Sequence, residues 1–127
     1  MKSSFFIRLN NKNVKVNFTD ILYVEGCKSY VKIVTVKEKL MTLLTMRRME
    51  ELLPKAKFCR VHKSYIVSLD HINAFDAHNI YFNDNLTIPI GGMYRSLLTE
   101  RIQVENTHVY RKAGMHVSSL GLTKIAN

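Results

Sequence analysis

The chain has 127 residues, enough for one domain with a short extension, and 46% are hydrophobic, as in an ordinary globular core. Nineteen Lys and Arg against 10 Asp and Glu give a formal net charge of +9, and residues 1–63, with 14 basic and 5 acidic side chains, carry the whole excess. Such a balance favours polyanions, DNA, RNA or an anionic membrane face, while no apolar run approaches the roughly 18–20 residues of a membrane span. Met1-Lys2-Ser3-Ser4-Phe5 lacks the apolar stretch of a signal peptide, so no membrane partner and a cytoplasmic, reducing location are expected.

Phe5, Ile7 and Leu9 alternate with Phe6, Arg8 and Asn10, the period of a strand. Asn10-Asn11-Lys12-Asn13 supplies turn residues that tolerate left-handed backbone. Val14, Val16 and Phe18 then alternate with Lys15 and Asn17, completing a hairpin with one packed and one wet face. A third strand is predicted at Ile21-Leu22-Tyr23-Val24-Glu25, broken by Gly26-Cys27-Lys28-Ser29. Tyr30 to Val36, rich in β-branched residues, is a fourth. Leu40 to Leu44 returns after the Lys37-Glu38-Lys39 turn.

Thr45 suits a helix N-cap, its hydroxyl accepting a free backbone N–H. Met46, Met49, Leu52 and Leu53 recur at helical spacing as a core stripe, Arg47 is placed to pair with Glu51, and Pro54 ends the helix. Lys55 to Lys63 reads as irregular and basic, and Ser64 to Leu69 as a strand or a tight helical turn. Ile72 to Ala77 and Ile80 to Phe82 suggest a strand pair around His78-Asn79. Asn83-Asp84-Asn85 marks a turn, after which Leu86, Ile88 and Ile90 alternate, with Pro89 consigning that strand to an edge. After Gly91-Gly92, Tyr94, Leu97, Leu98 and Ile102 give an amphipathic helix from Met93 to Val104. The expected division is a domain over residues 1–105 and an extension or tail over 106–127.

The sequence contains no glycine-rich phosphate loop, His-Glu-x-x-His or Cys-x-x-Cys, and its five histidines lack metal-ligand spacing. No catalytic residue, metal or cofactor is therefore expected, and the chain does not read as an enzyme. Cys27 and Cys59 each flank a basic segment. They read as small packed apolar residues, or, were those segments to adjoin, as a redox-controlled pair.

Phe58-Cys59-Arg60-Val61-His62-Lys63-Ser64-Tyr65-Ile66-Val67-Ser68-Leu69 closely resembles the signature of LytTR-type DNA-binding domains, an Arg-x-His-[basic or Asn]-Ser run before an apolar stretch. These are the output domains of LytR/AlgR-class response regulators of two-component systems. Ile21-Leu22-Tyr23-Val24-Glu25-Gly26-Cys27-Lys28-Ser29-Tyr30-Val31 resembles the family's other marker, an Ile-x-Tyr-[apolar]-Glu strand running into a short loop. The resemblance covers residues 5 to 103. It implies a mainly β fold with short helices, elongated and antiparallel, whose loops enter successive major grooves of duplex DNA. Carried over by position, Lys28, Ser29 and Tyr30 form a first reading loop. His62 and Lys63 form a second, with Arg60 and Ser64 supporting, and Gly92-Met93 lies at a third. The family often has a basic residue near Gly92, a place Arg95 would have to fill.

Chemistry agrees in part: Lys and Arg match guanine acceptors, and His, Ser and Tyr can donate or accept at base edges. Lys15, Lys32, Lys55 and Lys57, with Arg47, suit phosphates. His62 equally suits a structural histidine bonded to backbone, and Arg60 a salt bridge to Glu25. The resulting expectation is a transcription regulator binding repeated half-sites in duplex DNA, as two copies. The chain would be either a piece cut from a longer parent with a receiver domain or a free-standing variant under other control. An RNA-binding β module and a β-rich protein-interaction domain using its edge near Pro89 remain the alternatives.

Overall fold

A computed structural model describes residues 2–82, 85–105 and 107 of the chain. Asn10 and Asn11 both take positive φ, 47° and 63°, the backbone of a two-residue hairpin turn that matches strand twist. They join β1 (Ser4–Leu9) to β2 (Lys12–Asn17), with Leu9 opposite Lys12. A 3-10 turn at Phe18–Asp20 leads into β3 (Ile21–Cys27), which pairs with β4 (Tyr30–Thr35) and then, through it, β5 (Lys39–Thr42). Helix α1 (Met46–Leu52) follows, its first turn closed by the Arg48 N–H donating to Thr45 Oγ1 at 3.0 Å. Next come β6 (Phe58–His62) and β7 (Tyr65–Ser68), which complete a five-stranded antiparallel sheet in the order β5-β4-β3-β7-β6. Three short strands, β8 (Ala74–Phe75), β9 (Asn79–Tyr81) and β10 (Thr87–Pro89), form a second sheet, and α2 (Arg95–Arg101) follows.

The five-stranded sheet is covered on both faces. On one, Val24, Val31, Ile33 and Ile66 pack with Ile7 and Val16 of the hairpin, with Met49 of α1 and with Leu53 at its C-cap. On the other, Tyr23, Val34, Cys59, Val61 and Val67 meet Ile80, Ile88 and Leu98 from the small sheet and α2. Among the described residues the fold is thus mainly antiparallel β with short helices, as the sequence leads one to expect.

Several elements differ from expectation for identifiable reasons. β3 runs on through Gly26 and Cys27, because only Lys28-Ser29 are needed to turn it. Lys55 to Lys63 is not irregular throughout: Phe58–His62 is a strand whose side chains divide between the two cores, which erases the simple alternation of a half-wet strand. Tyr65–Ser68 is a strand, the first of the two alternatives for that segment, and a 3-10 turn at Leu69–His71 follows it. The strand sought over Ile72 to Ala77 shortens to Ala74–Phe75, because Asp76 Oδ1 accepts the His78 and Asn79 N–H groups and turns the chain. The last helix is preceded by a 3-10 turn at Gly92–Tyr94 and ends at Arg101, where Ile102 becomes extended. β10, with Pro89, is an edge strand as expected. Of the proposed turn at 83–85 only Asn85 is described, at φ 64°. The extension at 106–127 lies outside the described residues except for Thr107. No helix among the described residues is long and apolar enough to cross a membrane.

Candidate nucleic-acid interface

Both central hairpins turn in two residues at the same end of the five-stranded sheet. Cys27 lies opposite Tyr30, leaving Lys28-Ser29 as one turn, and His62 lies opposite Tyr65, leaving Lys63-Ser64 as the other. Each turn carries the tripeptide Lys-Ser-Tyr, a recurrence that the sequence shows plainly but that acquires meaning only once both copies are seen to be turns. The Gly26 N–H donates to the Ser64 carbonyl at 2.9 Å and ties the two turns together. The Gly91 N–H donates to the Val61 carbonyl at 2.8 Å, bringing Gly92-Met93 beside the second turn. The three segments singled out in the sequence therefore gather at one end. Lys28, Ser29, Tyr30 and Lys63 are exposed there, and Met93 is 90% exposed.

Arg60 is the brace of the second turn. Its guanidinium donates to the His62 carbonyl (3.3 Å) and the Lys63 carbonyl, and pairs with Glu50 of α1 at 3.1 Å. The sequence suggested Glu25 as its partner. Glu25 is instead held by Lys32 at 3.1 Å, directly across the β3–β4 register, and by the Tyr65 hydroxyl. His62 Nδ1 accepts the Ser64 N–H at 3.0 Å, and its ring stands edge-on to Tyr65. An Nδ1 that accepts leaves the ring proton on Nε2, so a neutral His62 has one N–H to offer.

The basic residues assigned to phosphates fall in different places. Lys32 is engaged with Glu25, and its pKa rises through that hydrogen bond and the carboxylate charge. Lys57 pairs with Asp70 at 3.2 Å, and both Lys57 and Lys55 precede β6, at the opposite end of that strand from His62. Lys15 lies over the Phe6 ring on the outer face of the hairpin. Arg95 is tied to the small sheet through the Ala77 carbonyl, 2.6 Å from its Nε, rather than to the Gly92-Met93 segment. The helical pair is Arg48–Glu51 at 3.1 Å, not Arg47–Glu51. That leaves exposed Arg47 beside Met46, whose side chain packs against Gly26 under the first turn. The sequence offers Arg47 both as a partner of Glu51 and as a phosphate contact, and the pairing of Arg48 with Glu51 leaves the second role open to it. The Thr45 cap fixes where the helix starts but not what its first turn stands beside.

Cys27 and Cys59 are both free thiols. Cys59 lies across from Val67, which lies across from Tyr23, four residues along β3 from Cys27, about 13 Å at strand rise. They do not meet as a disulfide pair. Burial pushes the Cys59 thiol up, away from the reactive thiolate. Among the described residues no group of three or more His, Cys, Asp and Glu is arranged to hold a metal ion.

Comparison with known proteins fits this architecture. The sensory transduction protein LytT of Bacillus anthracis is 30% identical over 96 residues, covering 72% of this chain and 39% of that protein. Its Bacillus cereus counterpart is 28% identical over the same extent. The chain thus spans about two fifths of the length of these relatives. A solved Bacillus cereus structure, the LytTr DNA-binding domain of a protein described as a methyl-accepting/DNA response regulator, superposes with a TM-score of 0.69 at 22% identity. It covers 80% of this chain and 97% of that one, a likeness of fold. The family model of the LytTr DNA-binding domain matches residues 11–103, and this chain belongs to that family.

Proposed function

We propose that the chain binds duplex DNA for transcriptional regulation and reads its sequence with the turns at Lys28-Ser29 and Lys63-Ser64, with Tyr30, His62 and Met93 beside them. Family membership supports the DNA-binding role. The observation that carries the finer reading is the convergence of two exposed Lys-Ser turns on one sheet end, fastened by the Gly26–Ser64 hydrogen bond. The exposed lysines reach guanine acceptors, while Arg47 and Lys15 suit phosphates and fix position rather than sequence. Arg60 and Ser64 shape the second turn, while Arg95 is held by the Ala77 carbonyl.

The two lysine turns lie two strand spacings apart, about 10 Å. That separation fits one major groove, roughly 12 Å wide, and falls well short of the roughly 34 Å between successive turns of the groove. On this spacing we place the two lysine turns of one copy in one groove, in place of the successive grooves that the family resemblance implies, with a second copy on a repeated half-site in the next. Relatives named as sensory transduction proteins, of which the chain spans about two fifths, support a response-regulator setting in which a receiver domain controls this module. The reading assigns the domain no reaction and no cofactor.

The test is fluorescence anisotropy on a duplex selected from a random pool, across a salt series and against a single-stranded RNA competitor. We expect steep loss of affinity with salt and preference for duplex. Lys63→Ala should lose about 1–3 kcal/mol of discrimination at defined base positions. If no sequence is preferred and Lys63→Ala and His62→Ala bind like wild type, the turns do not read DNA.

A further inference from the structure

Four side chains cross the sheet in one row at the base of the turns. Strand register sets Lys32 of β4 opposite Glu25 of β3, Glu25 opposite Tyr65 of β7, and Tyr65 opposite His62 of β6. The contacts follow the register. Lys32 Nζ lies 3.1 Å from Glu25 Oε1, the Tyr65 hydroxyl donates to Glu25 Oε2 at 3.3 Å, and the His62 and Tyr65 ring centroids are 5.4 Å apart. Burial raises the Tyr65 pKa and the Glu25 charge raises it further, so the phenol keeps its proton and is the donor. At the end of the row the Ser64 N–H occupies His62 Nδ1.

The ion pair in this row is more than a quarter exposed on each side, and such pairs contribute little to stability. Its effect is geometric. A carboxylate held by two partners fixes the Tyr65 ring, the ring fixes the imidazole, and the imidazole accepts from the backbone of the second turn. We propose that Glu25 and Tyr65 are positioning residues that set the His62 tautomer and the shape of the Lys63-Ser64 turn. The domain's choice of DNA sequence then depends on groups set behind the turns rather than in them. This inference rests on the DNA reading above.

Three variants separate the contributions. Tyr65→Phe removes only the hydroxyl, Glu25→Gln keeps an acceptor for Tyr65 but loses the charge facing Lys32, and Glu25→Ala removes both. Nitrogen-15 NMR of the imidazoles in the DNA-free chain reads the His62 tautomer. Binding to the selected duplex and its single-base variants reads preference. With the imidazole in its neutral form, wild type and Glu25→Gln should show the His62 proton on Nε2 alone. Tyr65→Phe and Glu25→Ala should show averaged ring nitrogens, and their preference at the bases under the second turn should fall about tenfold, with the salt dependence unchanged. The proposal is overturned if both variants keep the wild-type imidazole pattern, or if they weaken binding to every sequence equally. Should Glu25→Ala fail to fold, Tyr65→Phe, which keeps the ring, decides. If the wild-type chain prefers no sequence, the DNA reading falls on its own. The imidazole pattern then still judges the row, with averaging in the variants supporting it and no change overturning it.

Discussion

Lys28 sits at φ 60°, in the left-handed region that costs a non-glycine residue roughly 1–2 kcal/mol. A turn selected for stability alone would have glycine or asparagine there, as the Asn10-Asn11 turn does. Strain retained at an exposed lysine on the candidate interface is what a functional side chain would cause. Lys28→Gly should therefore stabilise the domain by about 0.5–1 kcal/mol, after the entropy of glycine is set against the relieved strain, while weakening DNA binding. Urea midpoints and anisotropy on the same preparations check the two halves, and a variant that loses both stability and binding would contradict the strain argument. Lys28 and Lys63 were legible as candidates because each sits in a recognisable motif. Which lysines are already engaged was not legible, since Lys32 meets Glu25 across a strand pair and Lys57 meets Asp70 thirteen residues away. Arg60 is recognisable as a support, but its pairing with Glu50 depends on where α1 sits against the sheet, which no local pattern reveals.

Among the elements, α1 illustrates how a short helix is held. Seven residues are too few for a helix to persist alone in water. Met49 and Leu53 anchor it in one core, and the Thr45 cap closes its first turn. From there it delivers Glu50 to Arg60 and sets Met46 under Gly26. Thr45→Ala should cost about 1 kcal/mol, seen as a lower urea midpoint with an unchanged slope. A steeper loss, or a changed slope, would mean that the cap supports more than this helix. The cap and the Met/Leu stripe were readable from spacing. β6 was not, because its residues serve cores on opposite sides and its register shifts between Arg60 and His62. α2 was overextended in the sequence reading because Ile102 continues the apolar period after the backbone has turned extended.

For the molecule as a whole, the pKa shifts point to an alkaline limit. Burial raises Cys59, Tyr23 and Tyr65, and the Glu25 hydrogen bond raises Lys32. Each group therefore contributes stability that is fully present below its unfolded pKa and is lost as pH rises through its folded one. The earliest loss belongs to Cys59, whose unfolded thiol titrates near 8.5, followed by the tyrosines and Lys32 from about 10. Thermal midpoints should be level from pH 7 to 8 and fall progressively above about pH 9. Cys59→Ala should delay the first part of that fall, and an unchanged profile would show that the buried thiol is not its source. Asp76, lowered by the Tyr81 hydroxyl and two backbone N–H groups, acts in the opposite sense and is lost only in acid.

If the two Lys-Ser turns read DNA as proposed, their setting governs how this scaffold can change its target. Lys28, Ser29, Lys63 and Ser64 belong to neither hydrophobic core, while the strands that close on them are packed on both sides. The second turn is braced through backbone atoms, the Lys63 carbonyl and the Ser64 N–H, which any residue but proline leaves in place. On the proposed reading, these positions can be rewritten as an address while the body that carries them stays as it is, with position 28 confined to residues that accept a left-handed backbone.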